Sequence, residues 1–361
     1  MSVIGSRRIL LGTAALTLAL SALVLTESAY AAKPVGSGKG ANTEQEGGGG
    51  KSGIYAAARI QYSGSVAKDG GTGNLTSTDV NWTPPPCWYA PYLGAKDFKK
   101  EMSKHIDSQL KAPGMGGTAG SAIGETQRHY EDGYGWSGSP GYKDYNVEND
   151  GKGMFWAGVE NPDEPDYLKR TSCTDLPFWV ENGDAPPPQY EEAISPEILA
   201  ALAYQHMQLP DTKVTLAPEA NTKVNLPTWA WLDKAVFDEV QATAALNVPG
   251  FNIQATTTAR PVSLKLEPGT EDAVTYPASG ECVINTDKSI GEPYAKGKAD
   301  ETPPCGIKYL RSSGDGTYKL QATITWEIDW TGTGGAGGDL PNGTFGNEQA
   351  VTVQEIQAVN R

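Results

Sequence analysis

The feature that most constrains this 361-residue chain lies near its C-terminus. Tyr318, Leu320, Ala322, Ile324, Trp326, Ile328 and Trp330 take every second position, and Lys319, Gln321, Thr323, Thr325, Glu327 and Asp329 fill the gaps. Helical faces recur every 3.6 residues, so an unbroken period of two predicts a long strand with one buried and one solvated face. Such a strand belongs in an antiparallel sheet. Its apolar face needs a second layer to cover it.

The same period recurs elsewhere. Phe251, Ile253, Ala255, Thr257 and Ala259 alternate, Pro261 breaks the phase, and Val262, Leu264 and Leu266 resume it. A bulge or a change of sheet at Pro261 accounts for the slip. Val351 and Val353, then Ile356 and Ala358, repeat the slip in the last strand. Trp229 and Trp231 flank Ala230 and share a face, read as core. Ile54, Ala56, Ala58, Ile60 and Tyr62 mark a half-buried strand at the start of the ordered part.

Between these lies a mixed region. Phe98, Met102, Ile106 and Leu110 give one narrow apolar stripe on a helix over 95–111, ended by Pro113-Gly114. A second helix is expected over 191–207, with Ser195 as N-cap, Pro196 at the first helical position, and Ile198, Leu199, Leu202 and Ala203 facing the core. Pro84-Pro85-Pro86 makes a stiff turn before Cys87, and residues 113–160 read as Gly-rich loop. The fold class expected is mainly β with an α+β N-terminal part. The division expected is an α+β module over 54–208 and a β-sandwich over 209–361.

The N-terminus reads as an export signal over 1–31. Arg7-Arg8 precede an apolar run from Ile9 to Leu25, and Ala29-Tyr30-Ala31 is a small-x-small cleavage site. The Arg pair partly resembles a twin-arginine signal. Left uncleaved, this segment is the one membrane contact expected. Residues 32–53, with Gly47 to Gly50 consecutive, read as a flexible Gly/Ser-rich linker. Four cysteines, Cys87, Cys173, Cys282 and Cys305, form no CxxC motif. In an exported chain an even count predicts two disulfides. Three pairings are possible, and Cys87–Cys173 with Cys282–Cys305 is favoured because each pair then lies within one module. A secreted location, extracellular or associated with the cell envelope, follows.

Charge sets the partners. Asp and Glu number 43 against 29 Lys and Arg, a net −14. Without a basic block, phosphate-backbone binding lacks its driving force, so no nucleic acid is expected. Gly47 to Ser52 imitates the end of a nucleotide-binding loop, but Gln45 stands where the first Gly belongs, and no strand precedes it. No nucleotide and no other cofactor is expected.

Cys305-Gly306-Ile307-Lys308-Tyr309 followed by Gly316-Thr317-Tyr318-Lys319-Leu320-Gln321-Ala322-Thr323 resembles the later strands of polycystic-kidney-disease (PKD) repeats. That resemblance implies a seven-stranded immunoglobulin-like sandwich. The repeat's early Trp-x-Phe-Gly-Asp-Gly is replaced here by Leu264-Lys265-Leu266-Glu267-Pro268-Gly269. More broadly, Pro85 to Tyr89, Asn225 to Asp233, Cys282 and Cys305 flanking Gly291 to Tyr294, and Thr325 to Trp330 together resemble a group of uncharacterised secreted proteins of actinobacteria. It implies no reaction.

The remaining motifs bear on chemistry. Tyr130, Tyr134, Trp136, Tyr142, Tyr145, Phe155 and Trp156 crowd a Gly-rich stretch. Two readings stand: a stacking platform, for which Tyr134, Trp136, Tyr142 and Trp156 are the candidates, or the plug of a small core. Asn146-x-Glu148-x-Asp150-Gly151 imitates a calcium loop but carries Ala157 at its twelfth position. Leu340-Pro341-Asn342-Gly343-Thr344 approaches a wall-sorting signal and reads instead as a tight turn. His105, His129 and His206 share no metal spacing, and no metal site or catalytic residue is marked. The function expected is an exported, non-catalytic envelope or extracellular protein with a binding or structural role. Its partner is a cell-wall polysaccharide or another envelope protein. The alternative is a secreted polysaccharide-acting hydrolase or carbohydrate-binding module.

Overall fold

A computed structural model describes residues 60–64, 73–111, 118–135, 139–210, 212–219, 221–233 and 238–355. The export signal, the linker, Ile54 to Arg59, the glycine-lysine loop, Trp136, and Ile356 with Ala358 lie outside them. The chain opens with β1 (Ile60–Gly64), β2 (Gly73–Asn74) and β3 (Thr76–Ser77). β4 (Cys87–Leu93), α1 (Ala95–Leu110) and α2 (Thr118–Glu131) follow, then β5 (Gly153–Glu160), α3 (Tyr167–Arg170), β6 (Phe178–Glu181) and α4 (Pro196–His206). Short strands come next: β7 (Gln208–Leu209), β8 (Thr215–Ala217), β9 (Asn221–Lys223) and β10 (Pro227–Leu232). Two long strands, β11 (Val240–Val248) and β12 (Phe251–Glu267), precede β13 (Ala273–Tyr276), β14 (Glu281–Val283), β15 (Ile290–Gly291) and β16 (Gly306–Tyr309). β17 (Tyr318–Gly332) and β18 (Gly337–Gln354) close the fold, which is mainly β.

The largest sheet runs β1-β11-β12-β17-β18-β3, with β14 added to β12 and β9 to β18. β17 lies inside it, antiparallel to β12 and β18, and keeps its alternation. Leu320, Ala322, Ile324, Trp326 and Ile328 are buried on one face. Each such Leu or Ile contributes about 1.5–3 kcal/mol by leaving water. Both neighbours of β17 carry a bulge at the same level. On β12, Val262 is an extra residue between Pro261, opposite Trp326, and Ser263, opposite Thr325. On β18, Pro341 and Asn342 stand against the single Glu327. Bulges increase local twist and bend the strand. Here the covering layer changes along the strands. α4 lies across β11, β12 and β17 toward one end, where Thr257 donates its hydroxyl to the Ala200 carbonyl at 2.8 Å. Toward the other end, Leu264, Leu266 and Leu320 share a core with Ala230, Leu232, Ile307 and Tyr309 of the second sheet, β13-β16-β10-β15 with β8.

The Pro261 slip is thus a bulge, as expected. Leu340 to Thr344 is not a turn: it is bulged strand, and Pro341 occupies a site where the ladder is already broken.

Both disulfides pair within the expected modules. Cys282–Cys305 ties β14, on the edge of the large sheet, to the residue before β16 in the second. Cys87–Cys173 ties β4 to the segment before β6. The hydrophobic core nevertheless runs across residue 208. Ile60 of β1 pairs with Leu246 of β11, and α4 covers the large sheet, so parts of 54–208 are built into and onto that sheet.

Three local expectations change. Residues 113–160 hold α2 and β5 rather than loop throughout. The second helix begins at Pro196, after Ser195, whose hydroxyl accepts from the Ile198 amide at 3.2 Å. Leu110 remains exposed, so the first helix buries only Phe98, Met102 and Ile106 of its stripe.

Candidate functional site

The aromatic stretch is mostly core. β4, β5 and β6 form a three-stranded sheet with β5 in the middle, and both its faces are covered. Phe155 points to α1, stacking on Phe98 with ring centres 3.8 Å apart, and meets Tyr142 edge-on at 5.1 Å. Trp156, the next residue, points the other way and meets Phe251 of β12 at 4.9 Å. Tyr142 is 7% and Trp156 2% exposed, so neither can stack on a ligand arriving from solvent. Burial pushes the Tyr142 phenol up to about 12, although it accepts a hydrogen bond from the Trp179 amide. Tyr130 and Tyr145 are buried with them. The reason is composition: around the glycines few aliphatic side chains are available, so rings fill the space between sheet and helices. Tyr134 alone of the described candidates is exposed, at 51%, with the Arg128 guanidinium 5.2 Å from its ring centre.

Next to this core the backbone is strained. Asp144, Tyr145 and Asn146 take φ of 47°, 57° and 58°, a left-handed turn of three non-glycine residues. L-residues there cost roughly 1–2 kcal/mol each. The turn borders a recess of about 190 Å³, with Lys99 and Ser103 from α1 and Gln127 and Glu131 from α2. Lys99 and Asp144 already pair across it at 2.6 Å. The calcium-like residues are otherwise engaged. Asp150 takes the Lys96 amide at 3.1 Å and its ammonium at 3.0 Å, capping α1 from outside, and Asn146 accepts from Asn149. Among the described residues no group of three potential metal ligands converges.

A second polar constellation joins two elements and a turn. Tyr62 of β1 packs on His206 at the end of α4, ring centres 3.9 Å apart, and His206 Nε2 lies 3.3 Å from Asp163. Burial lowers the His206 pKa, while Asp163 pulls it the other way.

One recess was unmarked in the sequence. A cleft of about 670 Å³ opens between β8, an edge of the second sheet, and β18, at the edge of the large one. Lys213, Thr215 and Glu219 line one wall, and Asn347, Glu348 and Gln349 the other. Gln349 spans it. Its amide accepts from the Val214 N–H at 2.9 Å and donates to the Val214 C=O at 3.0 Å, as a paired strand would. Glu348 is held by Lys319 at 2.9 Å. Of the charged residues lining the cleft, Glu348 is thus neutralised, and Lys213 stands with Glu219, so the cleft is locally neutral; Val214, Leu216 and Ala350 add apolar surface.

Compared with known protein families, curated proteins and solved structures, the chain matches none.

Proposed function

We propose that this chain is an exported, non-catalytic protein of the cell envelope or extracellular space, acting as a binding and structural component. The observation that carries the reading is the β8–β18 cleft, an open, neutral, amide-lined recess between two sheet edges. Two of its side chains, Glu348 and Gln349, are already fixed by partners, which suits recognition at low entropic cost. Export is supported by the basic and apolar N-terminal run and by two disulfides that leave no free cysteine. The sandwich is inferred to be immunoglobulin-like and PKD-like, within the actinobacterial group it resembles. Two antiparallel sheets sharing one core and joined by Cys282–Cys305 support that inference.

Burial of Tyr142 and Trp156 removes much of the sugar-stacking rationale and favours an envelope protein over a polysaccharide as partner. The hydrolase reading retains one observation: Glu219 and Glu348 line the same cleft.

The test is sedimentation of purified residues 32–361, disulfides intact, with cell-wall sacculi, once protein-bearing and once stripped of protein. Released sugar is assayed in parallel. Retention on protein-bearing sacculi alone, weakened by Gln349→Ala, is the expected result. Sugar release abolished by Glu348→Gln would establish the hydrolase instead. Retention on neither preparation would end the binding reading.

A further inference from the structure

Resting on that reading, the geometry points to a specific mode of binding: the cleft takes an extended, uncharged polypeptide segment of about seven residues, added as a strand to the outer edge of β18.

The edge itself carries the argument. β3 pairs with β18 at Gly343 and Thr344, and β9 pairs with it from Thr352 to Gln354. Among the described residues no strand pairs with the outer side of β18 between them, from Phe345 to Val351. The backbone directions follow from the flanks. Val353 turns both its groups inward, to Ser313 beside β17, and Gln354 turns its carbonyl outward, to Val224. The β17–β18 register is unbroken from Gly343 to Val351. Strand alternation therefore turns the N–H and C=O of Gly346, Glu348 and Ala350 outward. These six groups repeat as a polypeptide repeats, and a neighbouring strand satisfies all of them.

The surroundings define the occupant further. Seven residues span about 23 Å at 3.3 Å per residue. β3 and β9 occupy the same edge on either side, so the sheet of a second copy is blocked and only a protruding or flexible segment enters. The slot continues an interface the chain already uses twice, with extended segments, one antiparallel and one parallel. Lys213 and Lys319 balance Glu219 and Glu348, so charge on the segment finds no complement. On its inner side the segment meets the Gln349 amide and Thr215, which favours small or polar residues at alternate positions.

The experiment uses the exported chain, residues 32–361, immobilised and exposed to random heptapeptides displayed on phage. Enriched peptides are synthesised with blocked ends. Amide hydrogen exchange is then followed at Gly346, Glu348 and Ala350. The blocking variant is Ala350→Pro. It removes an outward N–H and places a ring in the slot, yet leaves the β17 ladder intact, because that N–H faces away from it. Enrichment of near-neutral sequences rich in Val, Ile and Thr is expected. Exchange at the three amides should slow on adding peptide. Affinity should fall about ten-fold or more in Ala350→Pro, the loss of one backbone bond with steric exclusion added, at unchanged Tm. If Ala350→Pro lowers Tm, Gln349→Ala, which leaves every outward amide in place, supplies the comparison and should weaken binding less. Three results would overturn the proposal: no enrichment, peptides that protect other amides, or the three amides already protected in the free protein because a segment of the chain itself fills the slot. Sacculus retention that persists while the library yields nothing would sink strand addition and leave the binding reading standing.

Discussion

Removing the staple between the two sheets tests the architecture most directly. Cys282 and Cys305 are 23 residues apart and both sulfurs are buried. Constraining a loop of that length in the unfolded chain contributes about 3.4 kcal/mol on the loop-entropy model. The 86-residue separation of Cys87 and Cys173 gives about 4.6 kcal/mol on the same model. The perturbation is therefore a pair of double variants, Cys282→Ala with Cys305→Ala, and Cys87→Ala with Cys173→Ala. Against a total stability of about 5–15 kcal/mol, either loss is a large fraction. Urea unfolding followed by tryptophan fluorescence is a suitable assay, because Trp326 is fully buried in the core that both sheets share, and Trp229 of β10 is buried beside Tyr294. The first variant should lose about 3–4 kcal/mol, and the second about 1 kcal/mol more. A loss below about 1 kcal/mol for the Cys282 pair would mean that packing alone fixes the two sheets. A reversed order of the two variants would refute the loop-entropy reasoning itself.

Three further outcomes follow from local geometry. Ser195→Ala removes the N-cap of α4 and should cost about 1 kcal/mol by chemical denaturation; no loss would show that α4 is held by its buried face alone. Gly346→Ala would place a Cβ 2.5 Å from the Ala322 carbonyl, and overpacking of that kind costs about 1–3 kcal/mol, so a Tm equal to the parent's would contradict it. Burial lowers the pKa of His129 and His206 below the ordinary 6.5, with the Tyr134 carbonyl and Asp163 pulling back respectively. A depressed folded pKa means that the unfolded chain binds the proton first. Stability is then full above about pH 6.5 and declines as pH falls below it. Tm measured from pH 8 to 5 should fall on the acid side, less steeply in His206→Gln, and a Tm that rises on acidification would contradict the assignment.

What the sequence reveals depends on whether a signal is local. β17 is legible because each of its residues declares a face, and the covers of that face, α4 and β16, carry their own caps and apolar runs. α2 is hidden because Gly120 and Gly124 interrupt it, and among its described side chains the buried ones are Ile123, Tyr130 and the polar His129, which make no apolar stripe. β5 is a different case. Met154-Phe155-Trp156-Ala157 has no alternation, and a short unbroken apolar run is itself the signature of a strand covered on both faces. Read that way, Trp156 would have been assigned to a core from the start. The aromatic platform draws on residue type alone, and residue type does not separate a ring that stacks on a ligand from one that fills a gap beside glycine.

The β18 edge could not be read at all, because a gap is a property of topology. β3 and β9 come from segments some 270 and 130 residues before the positions they pair with, and nothing in either predicts where it stops. Composition alone would suggest an edge blunted against association, since Asn347-Glu348-Gln349 is the kind of polar run that protects exposed strands. The contacts argue otherwise. Glu348 is drawn across the sheet's outer face to Lys319, and Gln349 is drawn inward to Val214. Both side chains leave the plane in which a new strand would bond. The charge that should guard the edge is spent on its faces, and among the described residues the backbone between β3 and β9 stays open to a segment of the right length.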